Sequence, residues 1–182
     1  MSEPTNENAP ENKEPAPNPP QETPEEKGPE PGEFGKLLAE NGLTVDPLGP
    51  DAVGVEMIGV APDKVLDVAK FLRDSQITKM DFLMSVSGVD HKEYRESVYH
   101  VYSVDTHKSI CIKVKADNDH VPSLMPVWPA ADWHEREAFD LFGIIYDGHP
   151  DLRRLLMPVD WIGYPLRKDY KQDDPRLVWN ER

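Results

Sequence analysis

The sequence predicts an α+β fold, a helix packed on a mainly antiparallel sheet, followed by an extended Pro/Gly-rich C-terminal strap. Three observations carry this. Runs in the middle of the chain alternate apolar and polar residues with the period of a strand. One run between them, Val65, Val68, Ala69 and Leu72, repeats at helical spacing and marks a core-facing helix. The last part of the chain mixes glycines and prolines with aromatic residues, a composition that resists regular structure without being solvent-like.

The chain has 182 residues, enough for one domain with a tail. Residues 1–33 are dominated by Pro, Glu and Asn, with nine Glu against Lys13 and Lys27, a net of −7 and half the total of −14. So little apolar surface cannot offset the entropy of ordering, and a disordered acidic tail is expected there. The overall negative charge makes nucleic acid and anionic lipid poor partners. No run approaches the roughly 18 apolar residues of a membrane helix. The start, MSEPTNENAP, has neither a basic-then-apolar signal nor an Arg-rich transit pattern, so a soluble protein on the cytoplasmic side is expected.

Residues 34–149 form the expected α+β domain. Phe34, Leu37, Leu38 and Leu43 predict a short amphipathic helix stopped at Gly42. Val53, Val55 and Met57 alternate as a first strand, and Ala61-Pro62-Asp63 opens the helix of Val65 to Leu72 with proline in its first turn. A second strand is expected with Met80, Phe82, Met84 and Val86 on one face and Asp81, Leu83 and Ser85 on the other. Val98 to Val104 and Ile110 to Val114 follow as a hairpin turning at Asp105-Thr106-His107-Lys108. Residues 121–142 read as helix in two pieces, begun by Pro122 and Pro129, with Asp132 and Glu135 placed for a capping box and Gly143 as the stop.

The chemistry on offer is sparse. Cys111 is the single cysteine, so it has no intrachain disulfide partner and cannot supply the four thiolates of an iron–sulfur cluster. Placed in a strand between Ile110 and Ile112, it reads as an inert structural thiol. His134, Glu135, Glu137, Asp140 and His149 lack the His-Glu-x-x-His spacing of a zinc helix. Asp117-Asn118-Asp119 begins like a calcium loop but lacks its later glycine and closing Glu, which leaves a turn. Arg136 and Asp140 are spaced as a helix ion pair. No catalytic, cofactor-binding or metal-binding residues are assigned.

The most informative stretch is 143–170, GIIYDGHPDLRRLLMPVDWIGYPLRKDY. Its glycines and prolines allow only short strands near 144–146 and 154–157. Yet it carries Tyr146, Trp161, Tyr164, Tyr170, Leu152, Leu155, Leu156, Ile162 and Leu166. Such a segment either closes its own sheet or lies across another protein. Aromatic residues beside Arg153, Arg154, Arg167 and Lys168 favour the second, and Arg153-Arg154 fits interface ion pairing better than a phosphate site with no glycine cradle.

Two runs here are recognisable: Glu135-Arg136-Glu137-Ala138-Phe139-Asp140-Leu141-Phe142-Gly143, then Gly148-His149-Pro150-Asp151-Leu152-Arg153-Arg154-Leu155-Leu156. With Pro158, Asp160-Trp161, Gly163 and Pro165-Leu166-Arg167-Lys168-Asp169-Tyr170 they resemble the 30-kDa subunit family, the C subunits of proton-translocating NADH:quinone oxidoreductase, respiratory complex I. The resemblance implies a subunit of the hydrophilic arm, peripheral on the cytoplasmic face of a bacterial inner membrane, with no redox centre of its own. Flavin, iron–sulfur clusters and quinone are then expected in partner subunits. The chief partner would be the large quinone-site D subunit, with residues 150–182 wrapping it and gaining their order from that contact. Family motif and interface residues are then Glu135, Arg136, Glu137, Asp140, Phe142, Gly143, His149, Pro150, Arg153, Arg154, Trp161, Pro165, Arg167, Lys168 and Tyr170. Two readings compete: an equivalent subunit of a ferredoxin-dependent quinone reductase or membrane-bound hydrogenase, and a freestanding metal-dependent hydrolase built on His134, Glu137 and His149.

Overall fold

The computed structural model describes residues 28–171, so the expectations for 1–27 and for 172–182 fall outside the described residues. The short helix expected after residue 33 is present as α1, Glu33–Glu40. Its free N-terminal amides are met from the sheet: the Glu56 carboxylate accepts from the N–H of Phe34 at 2.9 Å and of Gly35 at 2.7 Å. Phe34 and Leu38 turn into the core, and Gly42, at φ +77°, ends the helix.

The first strand is not where alternation puts it. Strand β1 is Asp46–Pro50 and β2 is Glu56–Gly59, joined by a turn in which Asp51 Oδ1 accepts from the amides of Val53 and Val55. Pro47, Gly49 and Pro50 disguise β1, and proline is tolerated there because β1 is an edge strand. A 3₁₀ turn at Pro62–Lys64 leads into α2, Val65–Asp74, with Val65, Val68, Ala69 and Leu72 buried as the spacing predicts.

Strand β3, Phe82–Asp90, corrects a predicted face. Its pairing with β4, Arg95–Tyr102, shifts between Leu83 and Ser85, so Met84 is an extra, bulged residue. The bulge reverses the alternation: Leu83 and Val86 are buried, whereas Phe82 and Met84 are exposed. Strand β5, Ser109–Lys115, pairs antiparallel with β4 and parallel with β2, giving the order β1-β2-β5-β4-β3. The sheet is therefore mixed but mostly antiparallel. Cys111 is buried in β5, and burial pushes its thiol up to about 11, well out of the reactive range.

The segment after β5 also departs from expectation. Pro122 ends a short strand, β6 (His120–Pro122), which pairs parallel with β7 (Ile145–Asp147), where the sequence suggested helix. A single helix, α3, covers Ala131–Phe142, and no side chain caps its start. Glu135 is taken elsewhere, so the capping box does not form. Trp128 anchors the approach to α3 by donating its indole N–H to the Met80 carbonyl at 2.8 Å. The helix lies so close to β3 that a Cβ on Gly88 would sit 2.6 Å from the Phe142 ring.

Candidate functional site

Beyond β7 the chain has no helix or strand up to residue 171, so the strand expected at 154–157 is absent. The cause is Asp140. Its carboxylate, fully buried on α3, accepts from three consecutive amides, Leu155 at 3.0 Å, Leu156 at 2.7 Å and Met157 at 2.8 Å. Amides of successive residues point to opposite sides in a strand, so three converging on one carboxylate force a bend. Arg154 Nη1 donates to the same carboxylate at 2.7 Å. Burial pushes the Asp140 carboxyl up, but the Met157 amide, Arg154 and the other two amides outweigh it and hold it below the usual range. The predicted Arg136–Asp140 pair is thereby replaced by Arg154–Asp140.

Arg154 extends the tie. Its Nη2 donates to the carbonyls of Trp161 at 3.1 Å and Gly163 at 3.0 Å, so one guanidinium closes the loop 154–163 on itself and on α3. Arg167 does the same at the end of α3. Its Nε donates to the Phe142 carbonyl at 2.6 Å and its Nη2 reaches Asp119 at 3.3 Å, while the guanidinium lies 4.4 Å from the Tyr164 ring centre. A cation at the C-terminal carbonyls of a helix is also favoured by the helix dipole. Gly143, at φ +74°, is the closest point: a Cβ there would run into Arg167 and lie 2.6 Å from Tyr164. Asp90 completes the attachment by accepting from the Lys168 amide at 2.7 Å, the main reason its carboxyl is held low.

While the polar groups named above turn inward, this segment leaves four of its apolar side chains outward. Leu156, Val159, Ile162 and Leu166 range from 51% exposed at Leu166 to 94% at Val159, and Trp133 on α3 is 64% exposed. The Trp161 indole N–H is buried with no hydrogen-bond partner among the described residues, an unusual and costly arrangement.

The remaining predicted residues scatter. Arg136 is nearly buried, stacked on Trp133 and donating to the Arg153 carbonyl at 3.4 Å. Arg153 is exposed and pairs with Asp151 at 2.8 Å, inside the chain. Tyr170 packs on Gly163, while Pro150 is exposed and Pro165 half-buried. His149 has a buried ring: its Nδ1 accepts from the Asp151 amide at 3.1 Å, which leaves Nε2 as donor toward Asp132. Glu137 is exposed at a cavity of about 330 Å³ shared with His134, Ser85, Ser87 and Leu166. Glu135 faces the other way and is fully buried, accepting from Ser123 Oγ at 2.6 Å and the Leu124 amide at 2.7 Å. Burial pushes its carboxyl up to about 7, and among the described residues no cation pairs with it. Among the described residues no three His, Cys, Asp or Glu side chains are grouped to hold a metal.

Asp119 and Asp90 belong to this attachment, and sequence reasoning missed them. Asp119 sits in the Asp117-Asn118-Asp119 turn, where Asn118 and Asp119 both have positive φ, and it binds Arg95 as well as Arg167. The turn was legible, but its service to a residue 48 positions away was not.

Comparison with known proteins follows the same region. Residues 58–176 match the family model described as "Respiratory-chain NADH dehydrogenase, 30 Kd subunit". The C subunit of an NADH-quinone oxidoreductase from Roseiflexus sp. (strain RS-1) is 48% identical over 132 residues, covering 66% of this chain and 76% of that one. The C 2 subunit of such an enzyme from Rhizobium etli (strain CIAT 652) is 40% identical over 138 residues, covering 74% and 73%. Among solved structures, a trypsin-resistant fragment of Nqo5 is similar with a TM-score of 0.52 at 21% identity, covering 64% of this chain and 95% of the fragment. A chain of the membrane-bound sulfane sulfur reductase, an archaeal respiratory membrane complex, gives 0.59 at 24%, covering 76% and 84%. At those identities the two structures speak to the fold alone.

Proposed function

The chain belongs to the respiratory-chain NADH dehydrogenase 30 kDa subunit family, and from that premise we propose that it is a structural, non-redox subunit of the hydrophilic arm of a proton-pumping NADH:quinone oxidoreductase. The large quinone-site D subunit is the partner we assign to the outward face of residues 150–171. One observation carries this reading. A family-matched segment spends several polar groups on its own domain and leaves Leu156, Val159, Ile162 and Leu166 exposed, which supports a surface that a partner covers.

In this role the chain contributes mechanics rather than chemistry. Holding the neighbour in place keeps the quinone pocket and the electron-carrying centres of other subunits in register. No helix among the described residues is long and apolar enough to cross a membrane, which fits attachment to the cytoplasmic face through the complex. The named relatives are NADH-quinone oxidoreductase subunits, which favours NADH over ferredoxin as the donor of the assembly. The hydrolase reading has lost its site, because His149 is committed to Asp132 and the Asp151 amide.

The test is an affinity pull-down of the tagged chain from gently solubilised membranes, comparing wild type with Leu156→Ser/Ile162→Ser. Recovery of a large assembly with flavin and iron–sulfur absorbance, weakened by the double change, supports docking. A lone, cofactor-free chain from the wild type overturns it.

A further inference from the structure

Composition alone leads to a strap that orders only on contact, the usual behaviour of Pro/Gly-rich segments. The geometry points to the opposite, and we propose that Asp140 is a positioning residue that fixes 154–167 in its docking shape before any partner arrives. This rests on the docking role proposed above and deepens it. The protein would then be recognised as a preformed surface, through side chains, and not by folding along its neighbour.

Three observations support the latch. First, the ties lie within the chain and are charge-assisted: Asp140 to three amides and Arg154, Arg154 to the carbonyls of Trp161 and Gly163, Arg167 to that of Phe142, and Asp90 to the Lys168 amide. Second, the main-chain N–H groups of Leu155, Leu156 and Met157 are occupied, so this bend cannot offer them for strand addition to a neighbour's sheet. A partner must therefore present an apolar surface that receives Leu156, Val159 and Ile162 as side chains. Third, the attachment is two-ended: the segment is held at 154–157 by the C-terminal half of α3 and at 166–168 by the Leu141 carbonyl, the end of α3 and Asp90. A surface ordered in advance gives up less conformational entropy when covered, and its apparent affinity scales with the fraction of chains already latched.

Hydrogen exchange on the free full-length chain, followed by time-resolved capture of its neighbour, tests this. In the wild type, amides 155–157 should exchange at least ~100-fold more slowly than unstructured peptide. Asp140→Asn, which removes the charge and keeps the shape, should abolish that protection, leave the β4–β5 amides unchanged, and slow association ~10-fold or more. Leu156→Ser/Ile162→Ser should keep the protection and lose capture. Coil-like exchange at 155–157 in the wild type overturns the latch, as does unchanged association of Asp140→Asn once protection is gone. Protected amides in a wild-type chain that captures nothing would instead sink the docking role on which the latch depends. Should Asp140→Asn also unfold the β4–β5 hairpin, Arg154→Lys, which keeps the charge but loses the fork to Trp161 and Gly163, serves in its place: it should slow association with the β4–β5 amides unchanged, and unchanged association overturns the latch.

Discussion

The β4–β5 hairpin and the segment 150–171 are held together by opposite means. In the hairpin, Tyr99, Val101, Ile110, Ile112 and Val114 face one buried layer, and backbone hydrogen bonds pair each strand with the next. In the segment Leu156, Val159, Ile162 and Leu166 point away, and the fixing points are carboxylates and guanidinium groups bound to backbone atoms. The first arrangement stabilises a domain. The second stabilises a shape, and it leaves hydrophobic surface free for something else.

The sharpest way to break that contrast is in the core. Trp128→Ala removes a buried ring and its hydrogen bond to Met80, and should lower global stability by about 3–5 kcal/mol, read as the denaturant midpoint. Glu135 comes next, with the sign reversed. Its folded-state carboxyl lies near 7, above the unfolded value of about 4.3, so the folded chain binds more protons between those values and stability falls as pH rises through that window. Glu135→Gln should therefore stabilise by up to roughly 3 kcal/mol at pH 8 and by little at pH 4, with most of the pH slope gone from thermal unfolding curves. A slope unchanged by the substitution would place the titrating group elsewhere.

Acid should act on the strap in the other direction. Asp140 is held low in the folded chain, so its contribution is complete above pH about 4 and is lost as pH falls further toward its folded value. Tryptophan fluorescence should report loosening around Trp161 in that range, and Asp140→Asn should show the loosened signal already at pH 7. The smallest stability effect belongs to Val159→Ser, within about 0.5 kcal/mol of wild type because the side chain touches little. If that change nevertheless weakens recovery of the assembly, stability and docking have been separated in one residue.

What was legible in the sequence follows the same division. Period-two and helical patterns placed α2, β4 and β5, because apolar burial leaves its period in the chain. Strand β1 was hidden by prolines that an edge position tolerates, and the two faces of β3 were exchanged by a single extra residue. The helix expected at Pro122 failed because that residue closes a strand paired with one that lies beyond α3. For the candidate site, the motif marked Asp140, Arg154 and Arg167, but not who binds whom. Spacing offered Arg136 for Asp140, and the actual partner is 14 residues further on. Contacts between a side chain and distant backbone leave no period to read.

The bulge in β3 has a consequence for length as well as for facing. Met84 has no opposite number on β4, whereas Leu83 pairs with Val101 and Ser85 with His100. Removing Met84 would therefore leave every other partnership in the ladder intact and restore an unbroken in–out rhythm through Leu83, Ser85 and Val86. The strand carries a spare residue, and a chain shortened by one there keeps the register that joins β3 to β4 on either side of the shift.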